Sequence, residues 1–105
     1  MSNEELELIL KIFEFKEIKS NAIFHQKYTE AANARDEERD YEAKFLKICG
    51  YEYNDIMVNS QDHRIRESLM NDYFLKNLGM EYPKSMTNEF KKNIIREIKL
   101  IKLGI

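Results

Sequence analysis

The stretch that decides the fold is SNEELELILKIFEFKEIKSNAIFH, residues 2–25. Ser2 is followed three residues later by Glu5, a capping box that predicts a helix starting at Asn3. Wound as a helix, the apolar side chains cover an arc of about 220°, roughly twice the arc of a helix with one neighbour. They are Leu6, Leu8, Ile9, Leu10, Ile12, Phe13 and Phe15. The sequence therefore predicts a helix over residues 3–25, flanked by two or more others.

Three further helices follow along the chain. The second is predicted over residues 28–49 and ends at Gly50, which takes the left-handed conformation common after a helix. Residues 51–60 are predicted to form a loop, with a short strand or turn within it as an alternative. The third helix is predicted over 61–78 with Ser60 as its N-cap, because apolar residues recur there at helical spacing.

The last helix is predicted over residues 87–103, capped by Ser85 or Thr87, after a loop around Pro83. With 105 residues, three glycines and one proline, the chain has too few turn residues for a β architecture. We expect one all-α domain over residues 1–105, a small bundle of about four helices. Residues 1–50 would form a helical hairpin and residues 51–105 the two further helices.

Composition also bears on the compartment. Cys49 is the one cysteine, which excludes an internal disulfide and fits a reducing environment. The N-terminus is acidic and lacks the basic start of a signal peptide. No apolar run reaches the roughly 18 residues of a membrane span. These features predict a cytoplasmic protein that does not enter a membrane.

A motif lies at residues 22–39, AIFHQKYTEAANARDEER. It resembles the UVR motif of the excision-repair proteins UvrB and UvrC, the Clp ATPase ClpC and the activator McsA. The residues that match its aromatic turn, its acid, its small pair and its "RD" are Tyr28, Glu30, Ala31, Ala32, Arg35 and Asp36, with Ala22 as the small residue of the preceding helix. Ala34 departs from the motif, which has leucine there, and Gln26-Lys27 replaces an acidic turn.

The resemblance implies an antiparallel helical hairpin used for docking onto a partner protein. Two alanines let neighbouring helix backbones approach closely, so Ala31 and Ala32 are expected to face the first helix around Ala22. Glu38 followed by Tyr41 is more similar to the ClpC variety than to that of UvrB.

Four charged residues share the apolar face of the second helix. They are Arg35, Glu38, Arg39 and Glu42. Since an unpaired charge in a dry core costs several kcal/mol, we expect the core contact to be interrupted there. The hairpin end, about residues 24–42, would then project from the body, with these charges partly solvated or meeting a polar partner surface. The predicted partner-binding residues are these four and Tyr28.

Catalytic chemistry is not indicated. His25 and His63 lack the spacing of the metal motifs, and Cys49 ends an apolar stripe, which is typical of a structural thiol. Acids cluster without the glycine or spacing of a calcium loop. They are Asp36, Glu37, Asp40 and Glu52. The sequence predicts a protein that is not an enzyme and has no cofactor or metal.

The C-terminal segment is basic. Residues 84–105 hold six basic and two acidic residues, a net charge of +4, in a chain whose total is −2. A stripe of Phe90, Ile94, Ile98, Ile101 and Ile105 is expected to face the core. Beside it, an arc of about 140° could contact phosphates. Its residues are Lys91, Lys92, Arg96, Lys99 and Lys102.

Three functions remain open from the sequence. The first is a non-catalytic adaptor or regulator that docks on a larger machine, such as a Clp-type ATPase or a repair complex, through the UVR-like hairpin. The second is a small nucleic-acid-binding regulator that uses the basic last helix. The third is a structural homo-oligomer, with a homodimer expected because the apolar arc of the first helix is so wide.

Overall fold

The computed structural model describes residues 2–51 and 63–102. They form four α-helices: α1 (Asn3–Phe24), α2 (Tyr28–Ile48), α3 (His63–Leu78) and α4 (Asn88–Lys102). No strand occurs among these residues, so the all-α prediction is confirmed. The predicted Ser60 cap, most of the predicted loop at 51–60, and Ile105 lie outside the described residues.

The start of α1 joins it to α3. The Glu5 amide donates to Ser2 Oγ at 3.1 Å, as the capping box predicts. The Glu5 carboxylate accepts a hydrogen bond of 2.7 Å from Tyr73 Oη, on α3. A charged acceptor strengthens such a bond, so the first turn of α1 is held against the third helix.

Three residues connect α1 to α2. The amide of Lys27 donates to the carbonyl of Ala22 at 2.7 Å, and that of Gln26 donates to Ile23 at 3.0 Å. Gln26 has a φ of 59°, so the turn is a Schellman motif with a left-handed residue other than glycine. α1 and α2 pack extensively along their lengths, which confirms the predicted hairpin.

Predicted capping residues mark the end of α2 and the start of α4. Gly50 has a φ of 84°, and the amide of Tyr51 donates to the carbonyl of Leu46 at 3.1 Å, as in the first turn. At α4, Thr87 Oγ1 accepts a hydrogen bond of 3.2 Å from the amide of Phe90. Of the two caps considered for this helix, Thr87 is the one that bonds.

The core lies where α1, α2 and α3 meet. Phe13, Phe45 and Phe74, one from each helix, are fully buried, and the rings of Phe13 and Phe74 lie 6.1 Å apart, edge to face. Three of the seven apolar residues of the α1 arc are fully buried and the other four partly buried. α1 therefore has several neighbours, as its wide arc predicts.

α4 runs antiparallel to α1. Lys91, near its start, pairs with Glu17, and Lys102, at its end, donates to the side chain of Asn3. The predicted core stripe is partly wrong: Ile94 and Ile98 are buried, whereas Phe90 and Ile101 are exposed. The reason is that α4 contacts α1 over a narrow strip, too narrow to cover the whole stripe.

Candidate functional site

Glu38 of α2 lies between two lysines of α1. Lys16 Nζ is 2.5 Å from Glu38 Oε1, and Lys19 Nζ is 2.7 Å from Glu38 Oε2. Lys16 is 3% exposed and Glu38 4% exposed. The Lys16 ammonium also lies 4.5 Å from the centroid of the Tyr82 ring, a cation–π contact.

Glu42, one turn further along α2, is held by two other segments. Arg66 Nε of α3 donates to Glu42 Oε1 at 3.0 Å, and Tyr82 Oη, from the loop between α3 and α4, donates to Glu42 Oε2. Burial raises the pKa of Glu42, and the nearby Glu38 carboxylate raises it further. Burial, followed by the adjacent Glu42, holds the pKa of Tyr82 well above its usual value, so Tyr82 remains a donor.

The expectation that these acids are solvated is wrong. Glu38 and Glu42 are buried, and the core is not interrupted there, because α1, α3 and the Tyr82 loop supply their partners. Among the described residues, no buried side-chain nitrogen or oxygen lacks a hydrogen-bond partner. A buried charge persists where its hydrogen bonds and counter-charges are supplied, and that condition is met.

The predicted partner-binding residues do not form one accessible surface. Tyr28 and Arg35 are exposed and Arg39 is partly buried, whereas Glu38 and Glu42 face the interior. The hairpin end expected to project is correspondingly shorter: residues 23–30 are all exposed, and buried positions begin at Ala31.

Large apolar side chains cover this end of the hairpin. Phe24 is 82% exposed, Tyr28 66% and Ile23 52%. We call these three residues the hairpin tip. Of these three residues, only Tyr28 is among the predicted partner-binding residues; Phe24 lies on the same side of α1 as Leu6, five helical turns earlier. Glu17 and Ser20 lie on that side between Phe13 and Phe24, so no continuous apolar stripe marks the tip in the sequence.

A cleft opens beside the buried acids, with a volume of about 150 Å³. We call it the basic cleft. Its lining consists of Lys16, Lys19, Arg35, Glu38, Arg39, Glu42, Arg66, Glu67 and Lys84. Six of these side chains are basic and three acidic, an excess of three positive charges. Partial burial lowers the pKa of Arg39, as do Arg35 and Arg66 nearby.

The basic residues of α4 divide into two groups. Lys92, Arg96 and Lys99 are exposed on one face, whereas Lys91 is partly buried and pairs with Glu17. Lys102 is exposed, and its ammonium donates to the side chain of Asn3. Three cations at helical spacing thus remain directed to solvent.

The remaining reactive group is a thiol. Cys49 is partly buried, and burial, followed by the Glu5 carboxylate, raises its pKa to about 12. Such a thiol stays protonated at neutral pH and is a poor nucleophile. In the described part of the chain, no three His, Cys, Asp or Glu side chains are arranged to hold a metal ion. None of the described helices has the length and apolar composition that a membrane span requires.

Comparison with protein-family models, with characterised proteins and with solved structures finds no match to this chain. The resemblance to the UVR motif therefore stays a prediction carried by residues 22–39.

Proposed function

We propose that this protein is an interaction module that docks on another protein through the hairpin tip. The observation that carries the proposal is the exposure of Phe24 and Tyr28, two aromatic rings at the end of a helical hairpin. Clustered apolar side chains left in water mark interaction sites, because their burial by a partner is favourable. Aromatic residues dominate the energetics of such interfaces.

The turn that carries the tip is suited to docking. The Schellman bonds of Lys27 and Gln26 hold the backbone between the two helices in one conformation. A preorganised site loses little conformational entropy on binding, so more of the contact energy appears as affinity. The two rings are also stiff side chains with few torsions to restrict.

The complementary surface is an apolar pocket deep enough for an aromatic ring. Arg35 is exposed two helical turns along α2 from Tyr28, on the same face, where it would meet an acid at the rim of that pocket. The resemblance of residues 22–39 to the UVR motif favours a partner protein that belongs to a larger machine, such as a Clp-type ATPase or a repair complex.

The test compares tip variants with a matched surface control. A partner captured with the wild-type chain is purified and titrated by calorimetry against Phe24→Ser, Tyr28→Ser and Leu75→Ser. Leu75 is the matched control because it is an apolar residue that is 48% exposed and lies on α3, far along the chain from the hairpin tip. We expect each tip variant to lose about 2 kcal/mol or more of binding free energy, as hot-spot residues do, and the control to lose little.

Charge reversal at Arg35 gives a second arm of the same titration. Arg35→Glu should cost about 2–5 kcal/mol if its charge is paired across the interface. Tip variants that bind as tightly as the wild type would refute docking through the tip, whatever Arg35→Glu does.

Nucleic-acid binding is the second candidate, favoured by the solvent-facing Lys92, Arg96 and Lys99 on α4. It predicts an affinity that falls steeply with salt, since phosphate contacts release counterions. Lys99→Glu should then weaken binding and reduce the salt dependence, while leaving protein binding intact. Binding to duplex or single-stranded nucleic acid that is unchanged by Lys99→Glu would remove this candidate.

A homodimer remains the third candidate. A homodimer is expected from the sequence because the apolar arc of α1 is wide. In the structure, the other helices already cover much of that arc. Self-association would now have to bury the hairpin tip instead. Sedimentation at tens of micromolar tests this: a dimer that dissociates in Phe24→Ser supports it, and a strict monomer removes it.

A further inference from the structure

The basic cleft is built from four separate segments of the chain. α1 contributes two lysines, α2 contributes Arg35, Arg39 and the two buried acids, and α3 contributes Arg66 and Glu67. Lys84, from the loop before α4, completes the lining. Side chains from such distant positions meet here because the fold brings them together.

The two buried acids of the cleft, Glu38 and Glu42, already have cationic partners. Glu38 accepts from two lysines, and Glu42 accepts from Arg66 and Tyr82. The excess of positive charge in the lining thus remains after both buried carboxylates have been used. This excess is the net charge of all the side chains that line the cleft, so it does not require any one of them to be unpaired.

Three of the six basic side chains that line the cleft are arginines: Arg35, Arg39 and Arg66. Burial and the nearby Arg35 and Arg66 disfavour the charged form of Arg39, and together they outweigh the opposing effect of Asp36 and Glu42. Like charges gathered in a cleft with low-dielectric walls concentrate the positive potential. An anion that enters would relieve their mutual repulsion.

We propose that the basic cleft binds a phosphate group, either inorganic or carried by a small molecule. Guanidinium groups donate paired N–H groups whose geometry matches phosphate oxygens. The volume of about 150 Å³ equals roughly five waters of about 30 Å³ each, room for one or two phosphate groups. A phosphate group carries about −1.5 to −2 charges near neutral pH, so it offsets part of the positive excess of three.

A second groove adjoins the basic cleft and would hold the remainder of a larger ligand. It has a volume of about 400 Å³ and shares Lys16, Glu67 and Lys84 with the basic cleft. Asn71 and Pro83 are among its other lining residues. A phosphate-bearing small molecule would place its phosphate among the arginines and its organic part along this groove.

The experiment titrates the full chain with inorganic phosphate, pyrophosphate and ATP by calorimetry, with thermal unfolding in parallel at constant ionic strength. We expect saturable binding with one site per chain and a raised Tm, because a ligand that binds the folded state stabilises it. Tighter binding of ATP than of pyrophosphate assigns the phosphate to a small-molecule ligand. Equal or weaker binding of ATP assigns it to inorganic phosphate or pyrophosphate.

Two variants and a matched control locate the site. Arg35→Gln and Lys84→Gln alter exposed side chains of the cleft lining, so folding should be preserved, and each should weaken binding roughly tenfold. Lys99→Gln removes a cation from the exposed face of α4 and should leave binding unchanged. Absence of saturable binding of all three ligands at millimolar concentration overturns the proposal, as does an equal loss in all three variants. No protein partner takes part, so the outcome is independent of docking through the hairpin tip.

Discussion

At the scale of single residues, Lys16 is the side chain with the most unusual environment. Its ammonium is buried between α1 and α2, against Glu38 and the face of Tyr82. Taking both charges out of water costs several kcal/mol per ion, and their attraction recovers much of that cost. Removing one partner should therefore be more damaging than removing both.

Lys16→Met tests this directly. Methionine keeps the apolar stem but removes the charge, so Glu38 retains Lys19 alone. We expect a loss of about 3 kcal/mol in the free energy of unfolding, the low end for breaking a buried pair. In the double variant Lys16→Met/Glu38→Leu, neither charge of this buried pair is left behind, and most of this loss should be recovered. Urea unfolding of the wild type, both single variants and the double variant measures the coupling. Losses that simply add would show that the pair is not coupled.

Glu42 gives a prediction in pH. Its pKa is raised above the ordinary 4.5, so the folded state holds the proton more tightly than the unfolded state does. The stabilisation from this group is full below pH 4.5 and is lost as the pH rises through the raised pKa. Glu42→Gln removes the titration. The stability of the wild type relative to Glu42→Gln should therefore fall as the pH rises from 4.5, then level off.

Urea unfolding of both proteins at several pH values measures that difference. A stability of the wild type relative to Glu42→Gln that rises with pH would contradict the raised pKa.

The burial of Glu38 and Glu42 is predictable only when the helical wheels of α1 and α2 are compared with each other. On the helical wheel of α1, Lys16 falls between Ile9 and Ile12, in the middle of the apolar arc. A cation in one apolar face and acids in the other predict a buried pair. Tyr82 is 40 residues from Glu42 along the chain, and no local pattern joins the two.

At the scale of elements, the hairpin depends on small side chains. Ala22, Ala31 and Ala34 are buried, whereas Ala32 is only partly buried. Of the alanine pair expected to face α1, Ala31 does so more fully than Ala32. Ala34, which stands where the UVR motif has leucine, takes a buried position as well.

Ala34→Leu should therefore overpack the helix interface and lower the free energy of unfolding by about 1–3 kcal/mol. Ala32→Leu should cost less, because part of the longer side chain can reach solvent. Thermal unfolding of both variants checks the order. A larger loss in Ala32→Leu would mean that α2 presents a different face to α1.

Helix boundaries were the most predictable part of the fold. Ser2, Gly50 and Thr87 mark their helix ends through bonds within a few residues, so the local sequence contains the information. The predicted ends of α1 and α2 are each one residue too late, because in both helices the predicted last residue is the C-cap that precedes the left-handed residue. Which apolar residues stay uncovered depends on where the other helices end, and short-range patterns do not specify that.

At the scale of the whole molecule, the four helices are unequally attached. α1 and α2 share a long interface, whereas α4 rests on α1 through Ile94, Ile98 and the contacts of Lys91 and Lys102. Few buried apolar contacts and many exposed backbone bonds favour local opening. Hydrogen exchange should accordingly find α4 amides less protected than the central amides of α1 and α2.

The comparison is made by mass spectrometry or by NMR on the wild-type chain. Ile98→Ala should leave α1 and α2 among the slowest amides while α4 becomes faster still. Equal protection of all four helices would instead show that the molecule opens as one cooperative unit.

The ionic cluster around Glu42 has a consequence for how this sequence can diverge. Glu42 accepts hydrogen bonds from position 66 on α3 and from position 82 in the following loop, so a change at one of the three positions removes a partner from another. Drift at these sites must proceed by paired substitution, either keeping opposite charges or converting the set to apolar residues. Among descendants of this chain, positions 42 and 66 should therefore co-vary, and so should positions 16 and 38.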